Sequence, residues 1–287
     1  MSGLAIRADR EPSRDPPIRR SGARTKRHVW SPICARATQV SLKAEGLEAW
    51  LPMTPATSES ASRTGDRRRR YHARMILTDL EQTLDDVLRD HRLLSHPFYR
   101  RWEAGTLASM ELAAYAAQYR YFEAALPDLL VGALQDISDP VARDLVQANL
   151  DDERSAPCSH LELFDAFARE VGAAPSAPTS ATSALVATYQ SCARRSSTAV
   201  LAAIAAYEVQ SADIASSKAD GLRVHYGIGA EGTRFWDVHA GIDAAHGPWI
   251  AGALARIAAD KDEVAEAAWA GSRAWWGFLD EREAAAV

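Results

Sequence analysis

The chain has 287 residues, 47% of them hydrophobic and 25% charged, which is ordinary for a soluble protein with one large core or two small ones. Its net charge of −5 hides a break: residues 1–74 carry 16 Lys and Arg against 7 Asp and Glu, and the remainder carries 17 against 31. The acidic body excludes a nucleic-acid groove in the main domain, and no apolar run approaches the ~18 residues of a membrane span. Three scattered cysteines, Cys34, Cys158 and Cys192, form no disulfide framework or CxxC pair, so a reducing cytoplasm is the expected compartment. The amino terminus lacks the apolar segment of a secretory signal.

Residues 1–74 are rich in Arg, Ser and Pro and end in the run Arg67–Arg70. They read as a disordered basic tail that need not belong to the mature protein, with a self-contained domain over 75–287 starting at Met75. Thr78 with Glu81 makes a capping-box pattern for a helix to about Arg92. His96–Tyr99 interrupts the pattern, and a short helix through Trp102 follows. Ser109 can cap a long helix from Met110 to about Asp136, bent at Pro127. Asp139 and Pro140 open the next helix, which carries Glu153. Pro157 should kink it between Glu153 and His160. After a loop near 173–181, helices are expected over about 182–195, 197–219, 231–257 and 260–283. Gly247-Pro248 should break the third of these. With no strand pattern and no internal repeat, the fold class is all-α, a bundle of seven or eight helices.

Six potential metal ligands stand in three of these stretches: Glu153 and His160, then Glu208, then His239, Asp243 and His246. A spacing of seven returns to within ~20° of one helix face, and Asp243 lies ~40° from His239. Glu208 sits in the apolar run Ala202–Val209, and a buried glutamate there needs a partner. A single Glu and His seven apart commonly means nothing; three ligand-type residues on one helix face are less usual. Three carboxylates and three imidazoles suit two first-row metal ions. The Glu-x-x-His signature of ferritin-type bundles is absent.

Further segments carry a resemblance. Leu94–Gly105, Tyr207-Glu208-Val209-Gln210, Lys218–Leu222, Tyr226-Gly227 and Phe235–His239, in this order and spacing, resemble the haem-oxygenase-like dimetal oxidases. The resemblance is to the group of the chlamydial death-domain-associating protein, and it covers residues 75–287. It implies a haem-oxygenase-like bundle with Glu153, His160, Glu208, His239, Asp243 and His246 as ligands. The metals would be Fe/Fe or Mn/Fe, with O2 as co-substrate and an electron donor as partner. Some members of the group are implicated in making 4-aminobenzoate for folate at the expense of their own side chains. On that resemblance Tyr99 is the consumed ring, Tyr207 a radical relay or second candidate, and Lys218 the amine donor. The Tyr99 hydroxyl is expected to face the metals or Tyr207. The resemblance also allows a homodimer.

Each of these residues has a plainer reading. Tyr99, beside Phe98 and Trp102, suits a core aromatic, and Lys218 near a helix end suits the carbonyl terminus. Tyr115, Tyr119 and Tyr121 read as packing or pocket lining. Two alternative functions stay open: a dimetal oxygenase acting on an external small molecule (N-oxygenation, decarboxylation or C–C cleavage), and a cofactor-free PqqC/TenA-like enzyme.

Overall fold

The structure is a computed structural model that describes residues 61–155, 158–257 and 259–285, with side chains from Met75 onward apart from Ile242, Asp243 and Ala244. The described residues form nine α-helices and one short 3-10 helix, with no strand among them. They are α1 (Ala61–Leu88), α2 (Pro97–Glu103), α3 (Ser109–Asp136), α4 (Pro140–Glu153), α5 (His160–Glu170), α6 (Ser180–Arg195), α7 (Ser197–His225), α8 (Ala230–Arg256) and α9 (Lys261–Ala284). The 3-10 helix spans Leu93–Ser95. None of them is long and apolar enough to cross a membrane.

Helix α7 is the axis of the bundle, packed chiefly against α8 and α9, with α6, α3 and α2 closing around it. Its run Ala199–Glu208 is buried throughout, and the many alanines let neighbouring helices come close. Gly271 of α9 takes this furthest: a methyl group there would lie 3.0 Å from the Ala203 carbonyl oxygen. The buried face of α1 is the i, i+4, i+8 series Leu80, Leu84 and Leu88.

Five expectations are corrected. α1 begins at Ala61, so Thr78 is interior to a helix and Arg67–Arg70 lie within it. Arginine and alanine are good helix formers, and they carry the helix upstream of Met75. The same helix stops at Leu88 rather than Arg92. Glu153 and His160 do not share a kinked helix: α4 ends at Glu153 and α5 starts at His160. Ser159 caps α5, its hydroxyl accepting from the Glu162 N–H while the Glu162 carboxylate accepts from the Ser159 N–H at 2.8 Å. This split raises the helix count above seven or eight, and Pro157 lies outside the described residues. Helix α8 runs unbroken through Gly247 and Pro248. Gly247 serves close approach instead, since a Cβ there would sit 3.3 Å from the Glu208 carbonyl oxygen on α7. Ser109 is the first residue of α3 and not its cap: Ala108 holds the N-cap position, its N–H donating to the Glu111 carboxylate at 2.7 Å. The Asp139 cap matches expectation, accepting from Ala142 N–H at 2.8 Å ahead of Pro140.

Candidate dimetal centre and its lysine–tyrosine cluster

Helices α3, α4, α5, α7 and α8 each bring ligand-type side chains to one buried place. Glu153 at the end of α4 and His160 at the start of α5 meet with Oε2 and Nδ1 3.1 Å apart. His160 and His239 lie ring against ring, 4.4 Å between centroids. His246 is 6.1 Å from His160 on the same measure, and its Nδ1 is 3.9 Å from Glu208 Oε2. The tight contact of Gly247 with α7 holds His246 beside Glu208. Five of the six sequence candidates therefore converge. The sixth, Asp243, is on α8 between His239 and His246, and its side chain is outside the described residues.

Hydrogen bonds orient two imidazoles. His239 Nδ1 donates to the Phe235 carbonyl at 2.7 Å, because a carbonyl can only accept, and this leaves Nε2 as a lone pair. His246 Nε2 donates to the Asp152 carboxylate at 3.3 Å, which turns Nδ1 toward Glu208. Metal-binding histidines are commonly oriented in this way by a carbonyl or carboxylate on the far nitrogen. Ser211 donates to Glu208 Oε2 at 3.2 Å.

Burial and mutual proximity move the titration of the whole group. Burial opposes charge on His160, but the Glu153 carboxylate outweighs it and lifts the imidazole to about 9. Burial also opposes charge on Glu153, and His160 holds it below the usual range. Burial, reinforced by Glu153, raises Glu208 to about 6 despite the opposing pull of His246. Burial with His160 beside it pushes His239 well below its ordinary value.

The sequence reading missed a carboxylate. Glu123 of α3 is 3% exposed. It offers an oxygen that lies with ring nitrogens of His160 and His239 in a set spanning no more than 4.8 Å. Burial and then Glu153 raise its pKa well above the ordinary value. Its signal was legible: a lone glutamate in Phe122-Glu123-Ala124-Ala125-Leu126 resembles the setting of Glu208. Glu123 Oε1 is buried without a hydrogen-bond partner, beside the Glu153–His160 pair. Carboxylate oxygens and imidazole nitrogens gathered in one buried place, one of the oxygens orphaned, fit first-row metal ions.

A second cluster adjoins the first. Lys218 is fully buried, and its Nζ donates to the Tyr115 hydroxyl at 2.5 Å and to the Tyr99 hydroxyl at 2.9 Å. Those hydroxyls are 2.8 Å from each other. The amine also lies 4.2 Å from the centre of the Trp236 ring. Burial drives its pKa well below the ordinary lysine value, against a weaker pull from Glu123, which biases the side chain toward the free amine. Tyr99 was expected to face the metals or Tyr207; its hydroxyl instead meets Tyr115 and Lys218. The Tyr207 hydroxyl meets Tyr119 at 2.7 Å, and the Tyr115 and Tyr119 rings are 5.6 Å apart. Tyr115 and Tyr119, read from sequence as packing, thus link Tyr207 to the lysine. Tyr121, the third of that series, is at the surface and donates to the Ser176 carbonyl.

Several known proteins are similar to this chain. Residues 113–276 match the model of a family described as iron-containing redox enzymes. A 4-aminobenzoate synthase of Nitrosomonas europaea is 33% identical over 225 residues, spanning 72% of this chain and 92% of that protein. One of Chlamydia trachomatis is 31% identical over 205 residues, spanning 69% and 89%. Among solved structures, a CADD-like protein of unknown function from Nostoc punctiforme superposes with a TM-score of 0.62 at 21% identity. It covers 74% of this chain and 99% of its own. A TenA homologue from P. horikoshii gives 0.55 at 18%, covering 72% and 97%. These likenesses agree with the all-α, haem-oxygenase-like architecture.

Proposed function

Because this chain belongs to the family of iron-containing redox enzymes, we propose that it is a 4-aminobenzoate synthase that consumes its own side chains. The observation that carries the reading is the Lys218 amine, buried and held 2.9 Å from the Tyr99 phenol oxygen next to a cluster of ligand-type side chains, with burial lowering its pKa. In 4-aminobenzoate the nitrogen and the carboxyl carbon are para to each other. In tyrosine the phenol oxygen and Cβ stand in the same relation. The Tyr99 ring therefore has the product's pattern: a C–N bond to Lys218 nitrogen would replace the phenol C–O bond, the Lys218 Nζ–Cε and Tyr99 Cα–Cβ bonds would break, and Cβ would be oxidised to the carboxyl with O2 as the oxidant.

Glu153, His160, Glu208, His239, Asp243 and His246 would hold two ions, as Fe/Fe or Mn/Fe. When bound, these ions supply the oxidation of a phenol by O2, with an external electron donor completing the electron count. The protein's own residues do the rest. Burial excludes water from the Lys218 amine and favours its neutral form. Tyr115 fixes the Tyr99 hydroxyl, and Trp102 donates from Nε1 to the Lys218 carbonyl at 3.3 Å, so ring and amine are held in one geometry. Tyr207, adjoining Glu208, serves as a relay toward the cluster through its bond to Tyr119.

The test is a pair of variants in metal-loaded protein with O2 and a reductant. Tyr99→Phe should make no 4-aminobenzoate while its metal content stays at the wild-type level. Lys218→Arg should do the same, because a guanidinium is a poor amine donor. Product at the normal rate from Tyr99→Phe would mean that this ring is only packing.

A further inference from the structure

We propose that Glu123 is itself a metal ligand, a fourth carboxylate in the centre and one delivered from α3. The inference rests on the metal-centre reading above and adds to the ligand set that reading names. Its first ground is position. Glu123 is 3% exposed, and its oxygen groups with the ring nitrogens of His160 and His239 inside 4.8 Å. Those nitrogens come from α5 and α8, so three helices face one point.

The second ground is unsatisfied bonding. Oε1 of Glu123 is buried without a hydrogen-bond partner, and among the described residues no Lys or Arg forms an ion pair with Glu123. A carboxyl in such a place is costly unless something absent from the protein atoms coordinates it. The neighbouring Glu153 and His160 pair with each other at 3.1 Å, so the orphaned atom beside them is Glu123 Oε1.

The third ground is charge. Two divalent ions carry four positive charges. Glu153, Glu208 and Asp243 supply three negative ones, and the three histidines are neutral when they ligate. Glu123 brings the centre to neutrality, which a buried site requires when no counter-ion can enter. Glu123 also extends the series Tyr115, Tyr119, Glu123, spaced i, i+4, i+8 along one stripe of α3. The same helix face therefore carries the phenol at Lys218, the phenol at Tyr207 and the additional ligand.

The experiment uses the full chain, stripped of metal, as wild type, Glu123→Gln and Glu123→Asp. Each is titrated anaerobically with Fe(II) and separately with Co(II), and bound metal is counted after desalting. Melting of the metal-free proteins is followed in parallel. We expect wild type to retain two ions, and both variants to bind one of the two at least tenfold more weakly. Metal-free Glu123→Gln should melt at or above the wild-type temperature, since an amide removes a buried carboxyl that has no partner. A residue with a purely structural role would show the reverse, an unchanged metal count and a lower metal-free melting temperature, and that result overturns the assignment. Two ions held by both variants with wild-type affinity overturns it as well, while leaving the centre itself standing. A wild-type chain that takes up no metal refutes the centre and this inference with it.

Discussion

Replacing Lys218 by Met tests whether the amine in the core is neutral. The side chain is fully buried and donates to two phenol oxygens. Met keeps the length and the contact with Tyr99, Tyr115 and Trp236 but removes the amine. Two hydrogen bonds are lost, each worth about 1 kcal/mol net. The Tyr99 and Tyr115 hydroxyls still bond each other at 2.8 Å, so neither is orphaned. Against this loss stands the burial of a polar group, about 1–3 kcal/mol on mutational scales. The two terms nearly cancel at high pH. At lower pH the wild type also bears the cost of folding a lysine without its proton. Its folded-state pKa is lowered by burial, so the unfolded chain binds the extra proton, and wild-type stability rises with pH up to the unfolded value of about 10.4. The slope is up to ~1.4 kcal/mol per pH unit wherever the pH exceeds the folded-state pKa. Urea unfolding of metal-free protein at pH 7, 8 and 9 measures this directly. Lys218→Met should be more stable than wild type at pH 7, and its advantage should shrink by about that amount per unit as pH rises. A variant that loses more than about 3 kcal/mol at pH 7, with no pH dependence in the difference, would show that Lys218 folds as a paired ammonium and would refute the neutral-amine account.

Other consequences follow from single contacts. Asp152→Asn leaves His246 without its orienting carboxylate and should weaken metal binding by about 10–100-fold, read by competition with a chelator. Gly271→Ala forces a methyl to 3.0 Å from the Ala203 carbonyl and should cost about 1–3 kcal/mol in urea unfolding; a neutral result would mean that α7 and α9 part easily. Leu84→Ala should cost about 2–5 kcal/mol, because this side chain is buried under α1, and a loss below about 1 kcal/mol would show that α1 is not docked.

Much of this architecture was legible in the sequence because its helices announce themselves locally. Asp139-Pro140 and the Ala-rich run before Tyr207 each have a nearby physical cause, and the structure puts α4 and the buried stretch of α7 where they indicate. Helix limits failed where local signals compete. Thr78 and Glu81 have capping chemistry, but the Arg-rich segment upstream is itself a good helix former and the helix continues through. Gly247-Pro248 has the composition of a breaker, yet the glycine is there so that α8 can touch the Glu208 backbone, which no local pattern reveals. At the site, spacing placed Glu153 and His160 together for the wrong reason. They meet across a helix–helix corner capped by Ser159, not along one face. Glu123 and Tyr119 were missed because their importance lies in partners 37 and 88 positions away, His160 and Tyr207. Tertiary convergence of that kind leaves only a faint mark, a polar residue in an apolar run.

The most direct test of the central claim labels the protein itself. Chain produced with ring-labelled tyrosine and side-chain ¹⁵N-labelled lysine is loaded with metal without oxygen, then given O2 and a reductant. The small-molecule fraction and the tryptic peptides are analysed by mass. The account predicts 4-aminobenzoate carrying both labels, at no more than one per chain, with mass changes confined to the peptides containing Tyr99 and Lys218. Unlabelled product over many turnovers, with both peptides intact, would contradict it and assign the ring and the nitrogen to an external substrate.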